Sequence, residues 1–410
     1  MRRRYTYQKC QSQQEYPNKM DRISKLPLGI IETILCLLPI QEAARTSILS
    51  REWRYLWTKI PNLVFIEKEF QVSTDQTDRA ELSLYNKPSK RRKMSKKSKF
   101  IDAIYQVLLI HEGPIHEFTL DMQVDDSGVE IDHILLHLSK KNTLKMLNLD
   151  IIGDGYEGYV LPISLFSLHQ LTELYLNDCA LFHERPFTEF SCLTTLYLNG
   201  LSTYDTTLLR LLSSCPVLKR LMLYCDGGTI SDSRRTTIVD LFKCVPMIEF
   251  LSVRFFIVTC FVPERLPKVL PTALVDLKYL CMDHFCFSHK YGLPFLALLI
   301  RSFPNLEKFK LVMYEDYWLD EDEMGAYTLE DYSDIMLEHL NEFHILNYRD
   351  AEDELDFGKF ILAKSPVLKK VGIFPCVKFD EEEESKILKS LSLSPCAAPV
   401  GEVVIHLEPN

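Results

Sequence analysis

The sequence predicts an α/β solenoid, in which a small N-terminal unit of three helices precedes a curved stack of repeats with a parallel β-sheet on its concave face. Two observations lead to this fold class. A six-residue pattern, L-x-x-L-x-L with apolar substitutions, recurs from about residue 115 to the end. Helical stretches that end at prolines separate many of these units. A chain of 410 residues exceeds one ordinary core, and stacked repeats accommodate that length.

Composition narrows the class of protein. Hydrophobic residues make up 47% and charged residues 25%, which is typical of a folded chain. The formal charge of -10 disfavours a general nucleic-acid binder, because such proteins need a net basic surface. Apolar windows are far shorter than the roughly 20 residues of a membrane span, and the first twenty residues carry no secretory signal. The cysteines are scattered without a CxxC pair, as in a reducing compartment. We expect a soluble protein of the nucleus or cytoplasm, without membrane or nucleic-acid partners.

The N-terminal unit is predicted from its apolar spacing. A first helix runs from Pro27 to Pro39, with isoleucines and leucines at helical intervals. A second spans Gln41 to Leu49, and Ser50 is a plausible N-cap for a third that carries Trp53 and Trp57. About forty residues bury too little surface to be stable alone. The two tryptophans either anchor a partner or form the core of a helical subdomain.

The repeating pattern predicts the solenoid. Positions one, four and six of each unit point into a shared core, whereas positions three and five point out from a short parallel strand. Helices are predicted between strands, for example at Asp205 to Ser213 and Thr236 to Val245. An ordinary α/β sheet with leucine-rich strands is the alternative. The ten units begin at Ile115, Leu144, Leu171, Leu193, Leu218, Ile248, Leu277, Leu306, Leu340 and Leu368.

The outward strand positions on the concave face are the predicted target-binding residues. Several are tyrosines or arginines, which protein interfaces favour. Any single one of these residues is equally well explained as a solvent-exposed position without a partner. The prediction therefore concerns the face as a whole. The candidates are Glu173, Tyr175, Tyr197, Arg220, Tyr279, Lys308, Lys310, His344 and Lys370.

The segment from Asp21 resembles the plant F-box of the kind that precedes leucine-rich repeats and a C-terminal FBD region. The resemblance lies in Leu26-Pro27, Ile34-Leu35, Leu38-Pro39, the run from Ala44 to Ser50, and the run from Trp53 to Trp57. Leu28 and Gly29 depart from the usual acidic or polar pair. The resemblance implies that this unit binds a Skp-type adaptor, which links it to a cullin scaffold. The implied adaptor-binding residues are Leu26, Pro27, Ile31, Ile34, Leu35, Leu38, Pro39, Leu49, Trp53 and Trp57.

The same family suggests the domain boundaries. We expect an F-box at 21–66, a basic linker at 67–100, a leucine-rich-repeat solenoid at 101–330 and FBD-like repeats with a cap at 331–410, including a final strand around Val403 to Leu407. The basic run from Lys87 to Lys99 is either a nuclear-import signal or a solvated linker. The acidic stretch from Glu315 to Asp334 is predicted to be a loop.

Two motifs could suggest other chemistry. Gly153, Gly155 and Gly158 spell G-x-G-x-x-G, but Pro162 follows where a nucleotide-binding helix should continue. The segment from Cys281 to His289 holds two cysteines and two histidines within nine residues, whereas structural zinc sites join separated ligand pairs. We therefore expect neither a cofactor nor a metal.

The leading hypothesis is a receptor subunit of a ubiquitin ligase that binds its target through the repeats. The chain shows no constellation of nucleophile, base and orienting acid, so we expect no catalysis of its own. The alternative hypothesis is a leucine-rich-repeat binding scaffold that joins no ligase, with the nucleus as a candidate location.

Overall fold

The computed structural model describes residues 26–70, 95–124, 128–153, 158–182, 190–224, 230–231, 236–261, 266–271, 273–314, 328–349, 352–377, 379, 381–398 and 404–407. Strands and helices are numbered separately in chain order. Within these residues, no helix is long and apolar enough to cross a membrane.

A large parallel sheet organises the molecule. Its neighbouring strands follow one another along the chain, so the chain advances by one strand per repeat, as in a solenoid. This confirms the predicted fold class. The described strands of this sheet are β1 (Asn62–Ile66), β2 (Glu117–Val124), β3 (Met146–Gly153), β5 (Glu173–Asn177), β7 (Thr195–Asn199), β9 (Arg220–Tyr224), β11 (Phe250–Arg254), β12 (Tyr279–Phe285), β13 (Lys308–Met313), β14 (Glu342–Tyr348), β15 (Lys370–Pro375) and β16 (Val404–Leu407). A smaller parallel sheet holds β4 (Tyr159–Val160), β6 (Cys179–Leu181), β8 (Ser202–Tyr204) and β10 (Ile230–Ser231).

The predicted repeat register is confirmed. The first position of all ten predicted units, from Ile115 to Leu368, is buried, and each strand begins two residues later. β16 agrees with the predicted final strand. β1 was not predicted, although Ile60 to Phe65 carries the same six-residue pattern. Asn62 pairs with Glu117 in the register that the other repeats use.

The described helices are α1 (Leu28–Cys36), α2 (Ile40–Arg45), α3 (Lys96–Ile110), α4 (Val129–Lys141), α5 (Asp205–Ser213), α6 (Ile238–Lys243), α7 (Phe255–Phe261), α8 (Gly292–Ser302), α9 (Glu352–Lys364) and α10 (Glu381–Ser392), with 3-10 helices at Thr46–Ile48, Trp53–Lys59, Ile163–Ser167 and Leu329–Tyr332. α5 has the predicted bounds. α6 is shorter than predicted and starts after Thr237, whose side chain and that of Asp240 form a capping box.

The N-terminal unit differs from its prediction in detail. The second helix divides into α2 and the 3-10 turn Thr46–Ile48, and the third is the 3-10 helix Trp53–Lys59. Hydroxyl groups explain the division, because Thr46 Oγ1 donates to the Ala43 carbonyl and Ser47 Oγ donates to the Arg54 carbonyl. The N-cap of this 3-10 helix is Glu52 rather than the predicted Ser50, because the helix begins only at Trp53. Ser50 still accepts a hydrogen bond from the Trp53 amide, at 3.3 Å.

The basic segment is only partly described. Residues 71–94, which include most of the predicted linker and most of the basic run, lie outside the described residues. Lys96 to Lys99 form the first turn of α3, capped by Ser95, so the end of the run is helical rather than a loop. Phe100, Ile104 and Leu108 anchor α3 in the core. Most of the predicted acidic loop, residues 315–327, is also outside the described part.

The N-terminal unit and the repeats share one hydrophobic core. Trp53 and Ile60 belong to the same cluster of buried side chains as Phe100 and Phe118. Because β1 continues directly from the helical unit into the sheet, the unit caps the first repeat. The orientation of the helical unit relative to the concave face is therefore set by packing and backbone pairing.

Candidate functional site

The N-terminal helical unit exposes far more apolar surface than a small domain usually leaves to solvent. Leu37 is 80% exposed and Ile48 is 89% exposed. This apolar face consists of Leu28, Ile30, Ile34, Leu37, Leu38, Ile48, Leu49 and Tyr55. Exposed apolar residues concentrated in one small unit are typical of a protein interface.

The ten residues predicted to bind an adaptor fall into three groups. Pro27, Ile34, Leu38, Pro39 and Leu49 are exposed, whereas Leu26 and Trp57 are half-buried. Ile31, Leu35 and Trp53 are buried within the chain's own core, so their side chains support the helical unit from inside, and adaptor binding by the ten residues stays a prediction. Three short helices need internal side chains to hold them together, and these positions supply them.

Sequence reasoning missed five members of the apolar face. Leu28, Ile30, Leu37, Ile48 and Tyr55 are exposed but were not among the predicted contacts. Apolar character alone does not separate an inward from an outward residue. The sequence could have indicated exposure only for Leu28 and Ile30, because helical spacing places them on other faces of α1 than the buried Ile31.

A groove of about 590 Å³ lies beside this face. The end of α1, the start of α2, β1 and α3 form its walls. Leu38, Pro39 and Trp57, three of the predicted adaptor contacts, line it together with Val64 of the first repeat strand and Val107 of α3. The apolar face therefore continues from the helical unit onto the first repeat.

The nine predicted target-binding residues all lie at outward positions of the large sheet. Strand pairing arranges them in two rows across the strands. One row contains Glu173, Arg220, Tyr279, Lys308 and Lys370. The other contains Tyr175, Tyr197, Lys310 and His344.

Aromatic side chains occupy the middle of this face. The ring centres of Tyr175 and Tyr197 are 5.9 Å apart, and those of Tyr197 and Tyr224 are 5.6 Å apart. Phe250 and Tyr279 stack with centres 4.3 Å apart and planes 4° from parallel. We call these five residues the aromatic shelf. Such rings offer large contact areas at low entropic cost.

Arginine residues border the shelf. The guanidinium carbon of Arg220 lies 4.1 Å from the centre of the Phe250 ring, a cation–π geometry. Arg254 Nε is 3.5 Å from Asp283 Oδ2. Phe250, Tyr224 and Arg254 were not among the predicted residues. Phe250 is at position three of its repeat, and the other two are at position seven, where the outward alternation continues.

Lysine residues define the C-terminal end of the face. Lys308 Nζ is 2.6 Å from Glu342 Oε2, and His344 Nε2 is 3.2 Å from Glu342 Oε1. Lys370 pairs with Glu342 in the sheet, and Lys310 pairs with His344. Lys308 holds the pKa of the Glu342 carboxyl below its ordinary value. Burial lowers the pKa of His344 most strongly. The Glu342 carboxylate raises it, whereas the surrounding lysines lower it, and the net lowering favours a neutral imidazole.

Carboxylates define the opposite end. Glu117 and Asp121 lie on β2, Asp150 on β3, Glu173 on β5, and Asp178 directly after β5. Burial raises the pKa of Asp150, and the negative charges of Asp121 and Asp178 raise it further, whereas Lys68 lowers it. This end therefore carries carboxylates that repel one another.

The two potentially misleading motifs have structural explanations. Gly158 has φ +72°, and a Cβ there would lie 2.6 Å from the Asp178 carbonyl oxygen, so the close approach of neighbouring repeats requires glycine. In the other motif, His284 Nδ1 is 2.9 Å from Asp283 Oδ2 and the Cys281 thiol is buried. In the described ranges, no three His, Cys, Asp or Glu side chains are grouped so as to hold a metal ion.

Comparison with known families assigns three regions. Residues 23–65 match the F-box domain. Residues 132–266 match the leucine-rich repeats described for the FBD-associated F-box protein At5g56370. Residues 335–373 match FBD. The three matches occur in the order that the resemblance implied.

The chain is similar to proteins from Arabidopsis thaliana whose names include an F-box and leucine-rich repeats. F-box/FBD/LRR-repeat protein At1g13570 is 27% identical over 94% of this chain and 98% of the relative. Putative F-box/FBD/LRR-repeat protein At4g13965 is 24% identical over 91% and 94%. F-box/LRR-repeat protein At4g14096 is 33% identical, but the match covers only 50% of this chain and 40% of the relative. Among solved structures, an internalin from Listeria monocytogenes covers 76% of this chain and 90% of its own at 12% identity, with a TM-score of 0.33, which is too low to support a conclusion.

Proposed function

We propose that this chain, an F-box protein with leucine-rich repeats and an FBD region, is the target-binding subunit of a ubiquitin ligase built on a Skp-type adaptor and a cullin. The F-box docks on the adaptor, and the concave face of the solenoid binds the protein to be modified. The apolar face of the N-terminal unit is the observation that carries this proposal.

The exposure of that face supports adaptor binding. Leu37 and Ile48 expose most of their side chains while the unit is packed on the repeats. Covering one such side chain contributes about 1.5–3 kcal/mol of transfer free energy. A partner that covers several of them together gains the surplus that a stable interface needs.

The neighbouring groove supports an interface that continues past the F-box. Its walls include Trp57 from the helical unit and Val64, Phe100 and Val107 from the first repeat region. We propose that the adaptor contacts this groove in addition to the apolar face. The helical unit and the first repeat region would then both be held in a fixed position relative to the adaptor.

The proposed activity is positional. The chain performs no chemistry in this scheme, and it accelerates ubiquitin transfer by holding the target close to the charged enzyme. The shared core and the pairing of β1 with β2 support this role, because packing and backbone hydrogen bonds connect the adaptor-binding unit to the sheet that forms the concave face.

Co-expression with a plant Skp-type adaptor tests the proposal. We expect the two chains to co-elute as a one-to-one complex in size-exclusion chromatography. A truncated chain without residues 21–60 serves only as a pull-down control. If the full-length, folded chain elutes without adaptor over the micromolar range, the ligase role fails and the scaffold alternative remains.

We also propose that the chain acts in the nucleus or the cytoplasm. Support comes from the basic run of Lys90 to Lys93, which lies outside the described residues. A fluorescent fusion with these four residues changed to glutamine should shift from the nucleus to the cytoplasm. An unchanged distribution would show that the run is not an import signal.

A further inference from the structure

Charge is segregated along the concave face. The carboxylates of Glu117, Asp121, Asp150 and Glu173 lie at outward positions of β2, β3 and β5. Lys308, Lys310 and Lys370 lie at outward positions of β13 and β15, with Glu342 between two of them. The face is thus acidic at one end and basic at the other. Separated positive and negative charges of this kind are typical of a binding surface rather than of a surface that contacts only solvent.

The aromatic shelf lies between the charged ends. Tyr175, Tyr197 and Tyr224 connect β5 to β9, and the stacked pair Phe250 and Tyr279 connects β11 to β12. Arg220 packs on Phe250 at the centre. Tyrosine and arginine at the middle of a surface, with charges around them, are the arrangement of an interface hot spot.

The spacing sets the length of the complementary segment. β3 and β14 are seven strand spacings apart, which is about 34 Å at ~4.8 Å per spacing. An extended chain advances about 3.3–3.6 Å per residue, so roughly ten residues separate its two charged ends. A segment lying across the strands could therefore contact both ends and the shelf at once.

We propose that the concave face binds a charge-segregated protein segment. The basic residues of this segment lie over β2 to β5, its apolar or aromatic residues lie on the shelf, and its acidic groups lie over β13 to β15. This inference rests on the proposed function, since it specifies the target that the receptor holds. The acidic groups are carboxylates or phosphates, which the same lysines would recognise.

Electrostatic strain at the acidic end supports this polarity. Burial raises the pKa of Asp150, and the neighbouring carboxylates of Asp121 and Asp178 raise it further, although Lys68 lowers it. A lysine or arginine from a partner would relieve that repulsion. At the basic end, Glu342 neutralises only part of the positive charge of the three lysines.

Selection from a random 16-residue peptide-display library on the full-length protein tests the proposal. We expect enriched peptides to have basic residues at one end, acidic residues at the other, and apolar or aromatic residues between them. Two charge variants are selected in parallel. K308E/K310E/K370E should lose the acidic preference and keep the basic one, whereas D121N/D150N/E173Q should do the reverse. Since each variant retains the preference of its unaltered end, that end reports that the face is still folded.

Several outcomes would overturn the proposal. They are enrichment of peptides without charge segregation, no enrichment above an unrelated bait, and the same preferences in both variants. One more outcome that would overturn the proposal involves the chain's own acidic run at residues 315–323. If neutralising that run is required before acidic peptides bind, the occupant of the basic end is the chain itself.

The chosen peptide then distinguishes the two anionic groups. Versions with glutamate, phosphoserine or glutamine at the acidic positions are compared by fluorescence anisotropy. We expect at least tenfold weaker binding for glutamine, and whichever of the other two binds more tightly identifies the group. Adaptor co-elution is measured on the same variants. If the wild type binds no adaptor, the ligase role fails. If the wild type binds adaptor but selects no charge-segregated peptides, only the segregated target fails.

Discussion

Nε2 of His111 lies 2.8 Å from the carbonyl oxygen of Ile60, so the end of helix α3 is hydrogen-bonded to the end of the F-box unit. The carbonyl can only accept, which means that Nε2 carries the proton. Lys141 of α4 donates to the His111 carbonyl, at 3.0 Å. His111 therefore links the helical unit through its ring and α4 through its backbone carbonyl.

This position predicts a pH-dependent stability. Burial lowers the pKa of His111 from 6.5, and the nearby charges of Lys141 and His137 lower it further, although the backbone bonds at Ile60 and Gly113 oppose the shift. Below pH 6.5 the unfolded chain binds a proton that the folded chain resists, so stability should fall as the pH falls through that window.

The measurement is the free energy of unfolding in urea between pH 5 and pH 8. In His111→Gln, the side-chain amide can still donate to the Ile60 carbonyl but does not titrate. We expect the variant to show a flatter profile than the wild type below pH 6.5. Identical profiles would show that other groups control this titration.

The apolar face predicts a separation of binding from stability. Ile48→Asp should weaken adaptor binding at least tenfold, because it places a charge in an apolar interface, and should change the melting temperature by little, because the side chain is 89% exposed. Leu393→Asp is the matched control, since Leu393 is 75% exposed in the segment after α10. Equal adaptor affinity for both variants would contradict the proposed interface.

Trp53 predicts the opposite behaviour. Its side chain is 2% exposed, so Trp53→Ala should lower the free energy of unfolding by about 3–5 kcal/mol through cavity formation. Trp57→Ala should cost less, because Trp57 is only partly buried and lines the groove. Differential scanning calorimetry of the two variants checks the order, and a smaller loss for Trp53 would show that its burial is misassigned.

The acidic end predicts a stabilising substitution. The raised pKa of Asp150 means that the folded chain disfavours the charged carboxylate. The contribution of Asp150 to the free energy of unfolding therefore falls as the pH rises above 3.8. Asp150→Asn should raise the melting temperature at pH 7, and by less at pH 4. Asp283→Asn is the control, because Asp283 contacts Arg254 and His284 and its removal should destabilise. A lower melting temperature for Asp150→Asn would contradict the account.

If both this substitution and the peptide selection behave as expected, stability and binding oppose each other at Asp150. The carboxylate would be retained for its contact with a basic side chain despite its cost to the folded state. Active and binding surfaces commonly show this opposition.

The sequence by itself determined the repeat architecture. The first position of each unit, from Ile115 to Leu368, is apolar at a regular distance from its strand, and burial follows directly from that alternation. It also placed the nine target-binding candidates on one face, since residues two apart in a strand point the same way. α5 could be bounded because its apolar period and the following Pro216 agree.

Only the tertiary structure decided which apolar side chains are buried and which are exposed in the F-box unit. Trp53 and Ile48 are both apolar and lie close together in the chain, yet Trp53 is buried as part of the shared core and Ile48 is left in solvent. It also decided the charge polarity of the concave face, because residues from β3 to β15 become neighbours only through strand pairing. Local pattern specifies the direction of a side chain within its own element, whereas its neighbours across elements depend on how the repeats stack.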